Sequence, residues 1–197
     1  MNYPPMVEWC VDESSAISER QHDNCVTKKI YTGIGHRQIP EEIFALFKKI
    51  STELAKRGFI LRSGGAVGAD SAFEEGCDSA KGKKEIYLPW RNFNNNPSLL
   101  YDVSTQCVAY AREIIPNFKN MKSGTQLLTA RNIYQIMGQD LKTPTDLVIC
   151  YCSRNGGTAN ALKMAKYFDI KMIINCYDYI NDLLTAEHVI FEYLMTL

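Results

Sequence analysis

The stretch Arg62-Ser63-Gly64-Gly65-Ala66-Val67-Gly68-Ala69-Asp70-Ser71 decides the fold class of this chain. It lies between a short apolar pattern at 59–61, typical of a strand, and an amphipathic pattern from Ala72 onward, typical of a helix. Glycines at such a corner let backbone N–H groups approach a ligand, and the start of the following helix carries a partial positive charge. The stretch therefore predicts a strand, an anion-binding loop and a helix.

Two further glycine segments have the same character. The segment 31–37 follows an apolar start at Ile30, and the segment 153–158 follows the apolar run 147–152. The carboxyl ends of parallel strands meet at one edge of a sheet, where open α/β proteins bind their ligands. The sequence therefore predicts three glycine loops and a binding site at that edge.

The rest of the chain alternates between strand and helix patterns. Strands are predicted from Ile30 and over 59–61, 85–89, 146–152 and 170–176; helices are predicted from Pro40 to Gly58, from Ala72 to near Gly82, and over 98–115, 123–137, 158–168 and 181–195. This order predicts an α/β protein with a Rossmann-like, doubly wound, mainly parallel sheet of about five strands.

The chain is 197 residues long, which suits one domain. We expect residues 28–197 to form a nucleotide-binding domain with a helical insert at about 91–142 that covers part of the site. Residues 1–27 show no sustained periodicity and are interpreted as an irregular N-terminal extension.

Charge and composition narrow the function classes. The 22 basic and 22 acidic residues balance, so nothing global favours a polyanionic partner. The absence of a signal-like or membrane-length apolar run predicts a cytoplasmic protein without a membrane partner. Seven cysteines without a tight framework indicate free thiols. Cys150 and Cys152 are interpreted as core thiols, and no metal site is predicted.

The motifs together resemble the SLOG superfamily and, within it, the small stand-alone DprA-like proteins found largely in bacteriophages and bacteria. The resemblance spans roughly residues 28–177 and rests on 29–35, 61–73, 84–90, 130–135 and 156–158. It implies a Rossmann-like fold and a pocket for a nucleotide or a nucleotide-derived molecule. Such a phage-type protein could sense or sequester a signalling nucleotide. Relatives commonly pair, so we expect a homodimer.

The resemblance also brings two alternative functions. LOG enzymes cleave the N-glycosidic bond of nucleoside monophosphates, but their Gly-Gly-x-Gly-Thr turn is followed one helical turn later by a glutamate, whereas Thr158 is followed here by 159–162 without a carboxylate. A hydrolase would therefore need Asp70 or Glu74 as its catalytic acid or base. DprA proteins bind single-stranded DNA, which requires a basic groove with stacking aromatics, and the sequence shows no obvious one.

The residues that we expect to bind the ligand lie in the glycine loops, beside them or in the insert. They are Gly33, Gly35, Arg37, Arg62, Ser63, Gly64, Gly65, Gly68, Asp70, Trp90, Arg131, Asn132, Asn155, Gly156, Gly157 and Thr158. The glycines would hold phosphates, with hydroxyl donors from Ser63 and Thr158. Asp70 would repel phosphate, so it is assigned to ribose hydroxyls or a base amine. No catalytic residue and no cofactor beyond the nucleotide ligand are assigned.

Each of these residues also has a purely structural interpretation. The glycines could serve tight turns and close packing, and Asp70 could stabilise a helix dipole. Arg131 and Asn132 are expected to close the pocket from the insert, and the structural alternative is an ion pair and a capping contact within the fold. Trp90 could stack on a base or pack beneath the loop 91–97.

Overall fold

The computed structural model describes residues 28–153, 155–179 and 182–196. The prediction for residues 1–27 lies outside this range. Within it, five strands form one sheet: β1 (Ile30–Gly35), β2 (Ile60–Ser63), β3 (Lys84–Ile86), β4 (Leu147–Tyr151) and β5 (Met172–Asn175). The strand order is β3-β2-β1-β4-β5 and every pairing is parallel. The predicted Rossmann-like α/β class is confirmed.

Six α-helices accompany the sheet in the described residues. They are α1 (Glu41–Lys56), α2 (Ala69–Ser79), α3 (Thr105–Ile114), α4 (Ser123–Met137), α5 (Gly157–Tyr167) and α6 (Leu183–Thr196). Helices α1, α2 and α6 pack together on one face, and α3, α4 and α5 pack together on the other. None of these helices is long and apolar enough to cross a membrane.

The doubly wound order places the switch point between β1 and β4, the two central strands. The chain leaves β1 towards one helical layer and leaves β4 towards the other, so the carboxyl ends of these strands open a crevice between diverging connections. The core beneath it is mainly apolar, and its buried hydroxyls are hydrogen-bonded, as between Tyr31 and Ser51 at 2.7 Å. Tyr31, Phe47 and Phe73 pack ring against ring on the α1–α2 side, and Cys150 and Cys152 are buried thiols on the α5 side.

Two element boundaries differ from those expected. The segment 31–37 is mainly strand rather than loop, because β1 continues through Gly35 in register with Tyr151. Helix α3 begins at Thr105 rather than at 98, since the Ser104 side chain accepts the Cys107 N–H at 3.2 Å and caps the helix. The residues before it are not helical, and Leu100 forms a bridge with Tyr87 beyond the end of β3.

Arg62 anchors the end of the insert to the sheet. Its Nε donates to Glu85 Oε2 at 2.7 Å and its Nη1 donates to the Thr143 carbonyl at 2.6 Å. The Tyr87 hydroxyl donates to the same carboxylate at 2.8 Å. Arg62 therefore has a structural role, away from the carboxyl edge of the sheet.

We expect Arg62→Met to lower the free energy of unfolding by about 2–3 kcal/mol, because it leaves the Thr143 carbonyl and the half-buried Glu85 carboxylate without their charged donor. Urea unfolding measures this change. Lys48→Met is the control: Lys48 pairs with Glu75 on the surface, at side-chain exposures of 48% and 51%, and its loss should cost less than about 1 kcal/mol. Equal effects of the two substitutions would contradict the anchoring role.

Candidate ligand-binding site

A cavity of about 420 Å³ lies at the switch point. Its walls come from the end of β1, the loop before α2, one face of α4 and the start of α5. Pockets for small molecules commonly measure about 300–1,000 Å³ and combine apolar walls with a few polar groups. Ile34, Ala66, Leu128 and Ala161 supply apolar wall here. The cavity therefore has the size and character of a small-molecule site.

Helix α4 supplies the longest polar wall. Leu128, Arg131, Asn132 and Gln135 line the cavity at the spacing of one helical face. Arg131 is 5% exposed and Gln135 is 1% exposed, although both are polar. Helix α4 thus directs a guanidinium and two amide groups towards the cavity.

Arg131 is buried, and one of its hydrogen-bond donors has no partner among the described residues. Among the described residues, its Nε and the Gln135 Nε2 are buried atoms with no hydrogen-bond partner. Both side chains lie against Gly64, where an added Cβ would overlap the guanidinium and meet the Gln135 Nε2 at 2.5 Å. A buried, unsatisfied guanidinium is costly. A ligand that accepts hydrogen bonds in this cavity would remove part of that cost.

Asp70 faces the same cavity from α2 and is only 4% exposed. Its Oδ1 accepts the Gly35 N–H and its Oδ2 accepts the Ala66 N–H, each at 3.3 Å. The Ala69 N–H, the first of α2, donates to the His36 carbonyl at 3.1 Å. Several of the amides that the sequence assigned to a phosphate therefore have partners within the chain.

The two buried charges shift each other's titration. Burial raises the pKa of Asp70 to about 6, although the Arg131 charge and hydrogen bonds from the Ala66, Gly35 and Gly64 amides oppose the rise. Burial also lowers the pKa of Arg131 to about 10; Asp70 opposes this shift and Arg37 adds to it. Near neutral pH the cavity therefore carries two positive groups and one carboxylate that ionises close to physiological pH.

The start of α5 forms the wall opposite α2. Gly157 and Thr158 line the cavity, and the Asn132 Nδ2 donates to the Gly157 carbonyl at 3.4 Å. This contact links α4 to the start of α5. The start of a helix attracts anions through its unpaired N–H groups and its dipole. Arg37, exposed at the end of the β1 connection, lines the cavity as well.

His36 belongs to the site in a way that the sequence did not indicate. Its Nε2 accepts the Ser153 N–H at 3.2 Å and lies 3.3 Å from the Ser153 Oγ. Its ring lies edge-on to Tyr151. This contact ties the β1 connection to the loop before α5. Only the tertiary structure brings these two residues, 117 positions apart, together.

Seven of the predicted residues line the cavity: Gly35, Arg37, Asp70, Arg131, Asn132, Gly157 and Thr158. Sequence reasoning missed Gln135, Thr125, Leu128 and Thr129, which share the α4 face. The helical spacing of 128, 131, 132 and 135 was the signal that could have found most of them.

Several predicted residues do not line the cavity and instead hold its frame. Gly33 lies under the Phe73 ring, and Gly64 and Gly65 are buried. The buried Ser63 hydroxyl donates to the Gly33 carbonyl at 2.7 Å. Gly68 has a φ of 85° and begins α2 against the His36 and Arg37 carbonyls. Arg62 forms the anchor described above.

Other predicted residues lie nearby but outside the lining. Trp90 is 41% exposed, packs edge-on to Phe93 and lies beside Gly124 on α4. Asn155 and Gly156 are exposed in the loop before α5. Glu74, the second candidate for hydrolysis, pairs with Lys84 at 2.8 Å and accepts from the Asn96 side chain. Glu74 therefore belongs to a separate polar cluster.

Comparison with known proteins finds similarity at the level of the fold. No protein-family model matches the chain, and no curated protein sequence matches it. Solved structures of similar fold include DNA processing protein A from Helicobacter pylori, with a TM-score of 0.54 and 19% identity over 86% of this chain and 81% of that chain. The molybdenum cofactor binding protein from Rippkaea orientalis has a TM-score of 0.48 and 19% identity, over 86% of this chain and 85% of that chain. At these identities the similarity concerns the Rossmann-like fold, which this chain shares with DNA processing protein A.

Proposed function

We propose that the cavity at the switch point binds an anionic small molecule of the nucleotide type. The observation that carries this proposal is Arg131, which is 5% exposed, lines the cavity and has a buried Nε without a partner among the described residues. Guanidinium groups make strong, often bidentate hydrogen bonds to phosphate and carboxylate oxygens. Arg37 and the start of α5 add positive potential to the same space.

The rest of the cavity suits the less polar part of such a ligand. Leu128, Ala161 and Ile34 offer apolar surface to a ring, and the amides of Asn132 and Gln135 can bond the polar edge of a base. A nucleotide combines these two kinds of group. The volume of about 420 Å³ also suits a molecule of that size. The sequence resemblance supports a more specific form of this function, in which the protein senses or sequesters a nucleotide-derived signal.

Mass spectrometry of small molecules released from the denatured, freshly purified protein tests the proposal. We expect a nucleotide-like species from the wild type and its loss from Arg131→Met purified in parallel. Nucleoside monophosphates should also raise the melting temperature of the ligand-free wild type, because binding to the native state alone stabilises it. A wild type that releases no such species and shows no response to the nucleotides would contradict the proposal.

Binding is favoured over hydrolysis by the geometry of the carboxylates. In the part of the chain that the structure describes, Asp70 is the one carboxylate that lines the cavity, and its two oxygens accept backbone amides. Free base released from nucleoside monophosphates by the wild type, and lost in Asp70→Asn, would establish the N-glycosidic hydrolase instead.

Single-stranded DNA binding is the second candidate, favoured by one surface feature. Trp90 is exposed next to the exposed Arg91, close to the start of α4, and an aromatic beside a cation is a stacking platform for bases. The structure of the Helicobacter pylori protein concerns its single-stranded DNA binding mode. Anisotropy of a labelled oligonucleotide tests this function: tight binding that falls steeply with salt and requires Trp90 would support it.

A further inference from the structure

Asp70 occupies the position that an anion would take in the glycine loop. Its two carboxylate oxygens accept the Gly35 N–H at the end of β1 and the Ala66 N–H in the loop before α2. The His36 carbonyl accepts the first N–H of α2. The loop before α2 therefore binds a negative group that belongs to the protein itself. The amides of Ala66 in this loop and of Ala69 at the start of α2 are committed before any ligand enters.

The uncommitted positive groups lie on other walls of the cavity. Arg131 reaches it from α4, Arg37 from the β1 connection, and Gly157 and Thr158 begin α5. These groups can surround one anionic group. A second anionic group attached to the first would have to extend along the cavity, and on the α2 side it would meet the buried Asp70 carboxylate. Two like charges at close range in a poorly solvated site repel strongly.

We propose that Asp70 is a specificity-determining residue, which restricts the ligand to one that presents a single phosphate group and excludes diphosphates and triphosphates. This inference rests on the proposed function and deepens it. Asp70 acts by accepting the Gly35 and Ala66 amides and by placing its own negative charge where a second phosphate would bind. Without this carboxylate, the Gly35 and Ala66 N–H groups would be free to bind a second phosphate.

The restriction should weaken in acid. The charged or titratable groups facing Asp70 across the cavity are Arg131 on α4 and Arg37 and His36 on the β1 connection. Burial raises the pKa of Asp70 to about 6, so the carboxylate is ionised at about pH 8 and mostly protonated at about pH 5. The neutral acid has no charge to repel a second phosphate. The preference for a monophosphate over a diphosphate should therefore be high above the pKa of Asp70 and should decline as the pH falls through this pKa.

Calorimetric titration with the mono-, di- and triphosphate of one nucleoside tests the inference, with inorganic phosphate and pyrophosphate as minimal probes. At about pH 8 we expect the wild type to bind the monophosphate at least about tenfold more tightly than the diphosphate, and Asp70→Asn to reduce this ratio to near one. The control is Asp78→Asn, which removes a carboxylate from the same helix but outside the cavity and should keep the wild-type ratio.

The wild type alone gives a second measurement that needs no variant. The ratio of its affinity for the monophosphate to its affinity for the diphosphate should fall towards one between about pH 8 and about pH 5. The terminal phosphates of both ligands titrate alike, so their own ionisation largely cancels in this ratio. A folded Asp70→Asn that keeps the wild-type ratio would overturn the inference, as would a wild-type ratio that does not change with pH. A wild type that binds both ligands equally overturns this inference alone. One that binds neither overturns the proposed function as well.

Discussion

Replacement of Arg131 by methionine is expected to weaken binding of a nucleoside monophosphate by at least about 30-fold, the loss of about 2 kcal/mol or more that follows removal of a buried charged partner. Methionine keeps an unbranched apolar stem but cannot donate to an anion. The Nε of Arg131 has no partner among the described residues, so its removal breaks no hydrogen bond of the native fold at that atom. Calorimetric titration measures the loss.

The fold should tolerate this change, which separates a binding role from a structural one. Arg131 is a buried cation, and its removal relieves a desolvation cost while Asp70 can take up a proton. We expect a folded variant whose melting temperature is near that of the wild type or somewhat lower, because Asp70 loses its charged neighbour but can be protonated. Arg131→Lys should bind with intermediate affinity, because lysine keeps the charge and loses the planar fork. Unchanged binding by Arg131→Met would refute the assignment of Arg131 to the ligand.

Gly64→Ala offers an independent route to the same result. The added Cβ would overlap the guanidinium of Arg131, so the side chain must move away from Gly64. We expect this variant to lose affinity although Arg131 is still present. Gly124→Ala, on the same helix as Arg131, is the control, since its Cβ would lie 3.8 Å from Trp90 in ordinary contact. It should bind like the wild type.

Gly68→Ala is expected to destabilise the domain by more than about 3 kcal/mol, or to prevent folding. Gly68 has a φ of 85°, where an L side chain is strained. Its Cβ would also lie 2.6 Å from the His36 carbonyl oxygen and overlap the carbonyl of Arg37. Both obstacles are backbone atoms, which cannot move aside as a flexible side chain can. Denaturant unfolding by circular dichroism measures the change.

Gly124→Ala again gives the comparison, because alanine is a better helix former than glycine and its Cβ would make only ordinary contact with Trp90. It should match or exceed the stability of the wild type. A Gly68→Ala protein of near wild-type stability would show that the β1 connection and the start of α2 are not packed as closely as described here.

Much of the fold followed from local patterns. The β4 run at 147–151 is apolar at every position, which is typical of a strand buried on both faces of a parallel sheet. Helix α4 ends at Gly138 with a φ of 73°, as its glycine indicated. Helix α3 was harder to predict, because non-local contacts hold the residues before Ser104 outside the helix. The Ser98 hydroxyl, for example, donates to the Ile86 carbonyl at 2.6 Å.

Only part of the site could be predicted from the sequence. Glycine loops at strand ends indicated the correct edge of the sheet, and Arg131 and Asn132 stood out as polar residues in an apolar helix. Arg62 looked similar beside a glycine loop, yet it pairs with Glu85 away from the cavity. No local pattern distinguishes these two arginines. What differs is the neighbour that the sheet order and the insert bring to each.

The sequence by itself determined the alternation of strands and helices, the parallel sheet and the edge at which a ligand would bind, because periodicity and glycine corners are local properties of the chain. Only the tertiary structure decided that Asp70, rather than a ligand, accepts the Gly35 and Ala66 amides, and that Arg131 is the buried cation across the cavity. The reason is that burial and pairing arise from contacts between residues far apart in the chain, and these set the charge that the cavity presents.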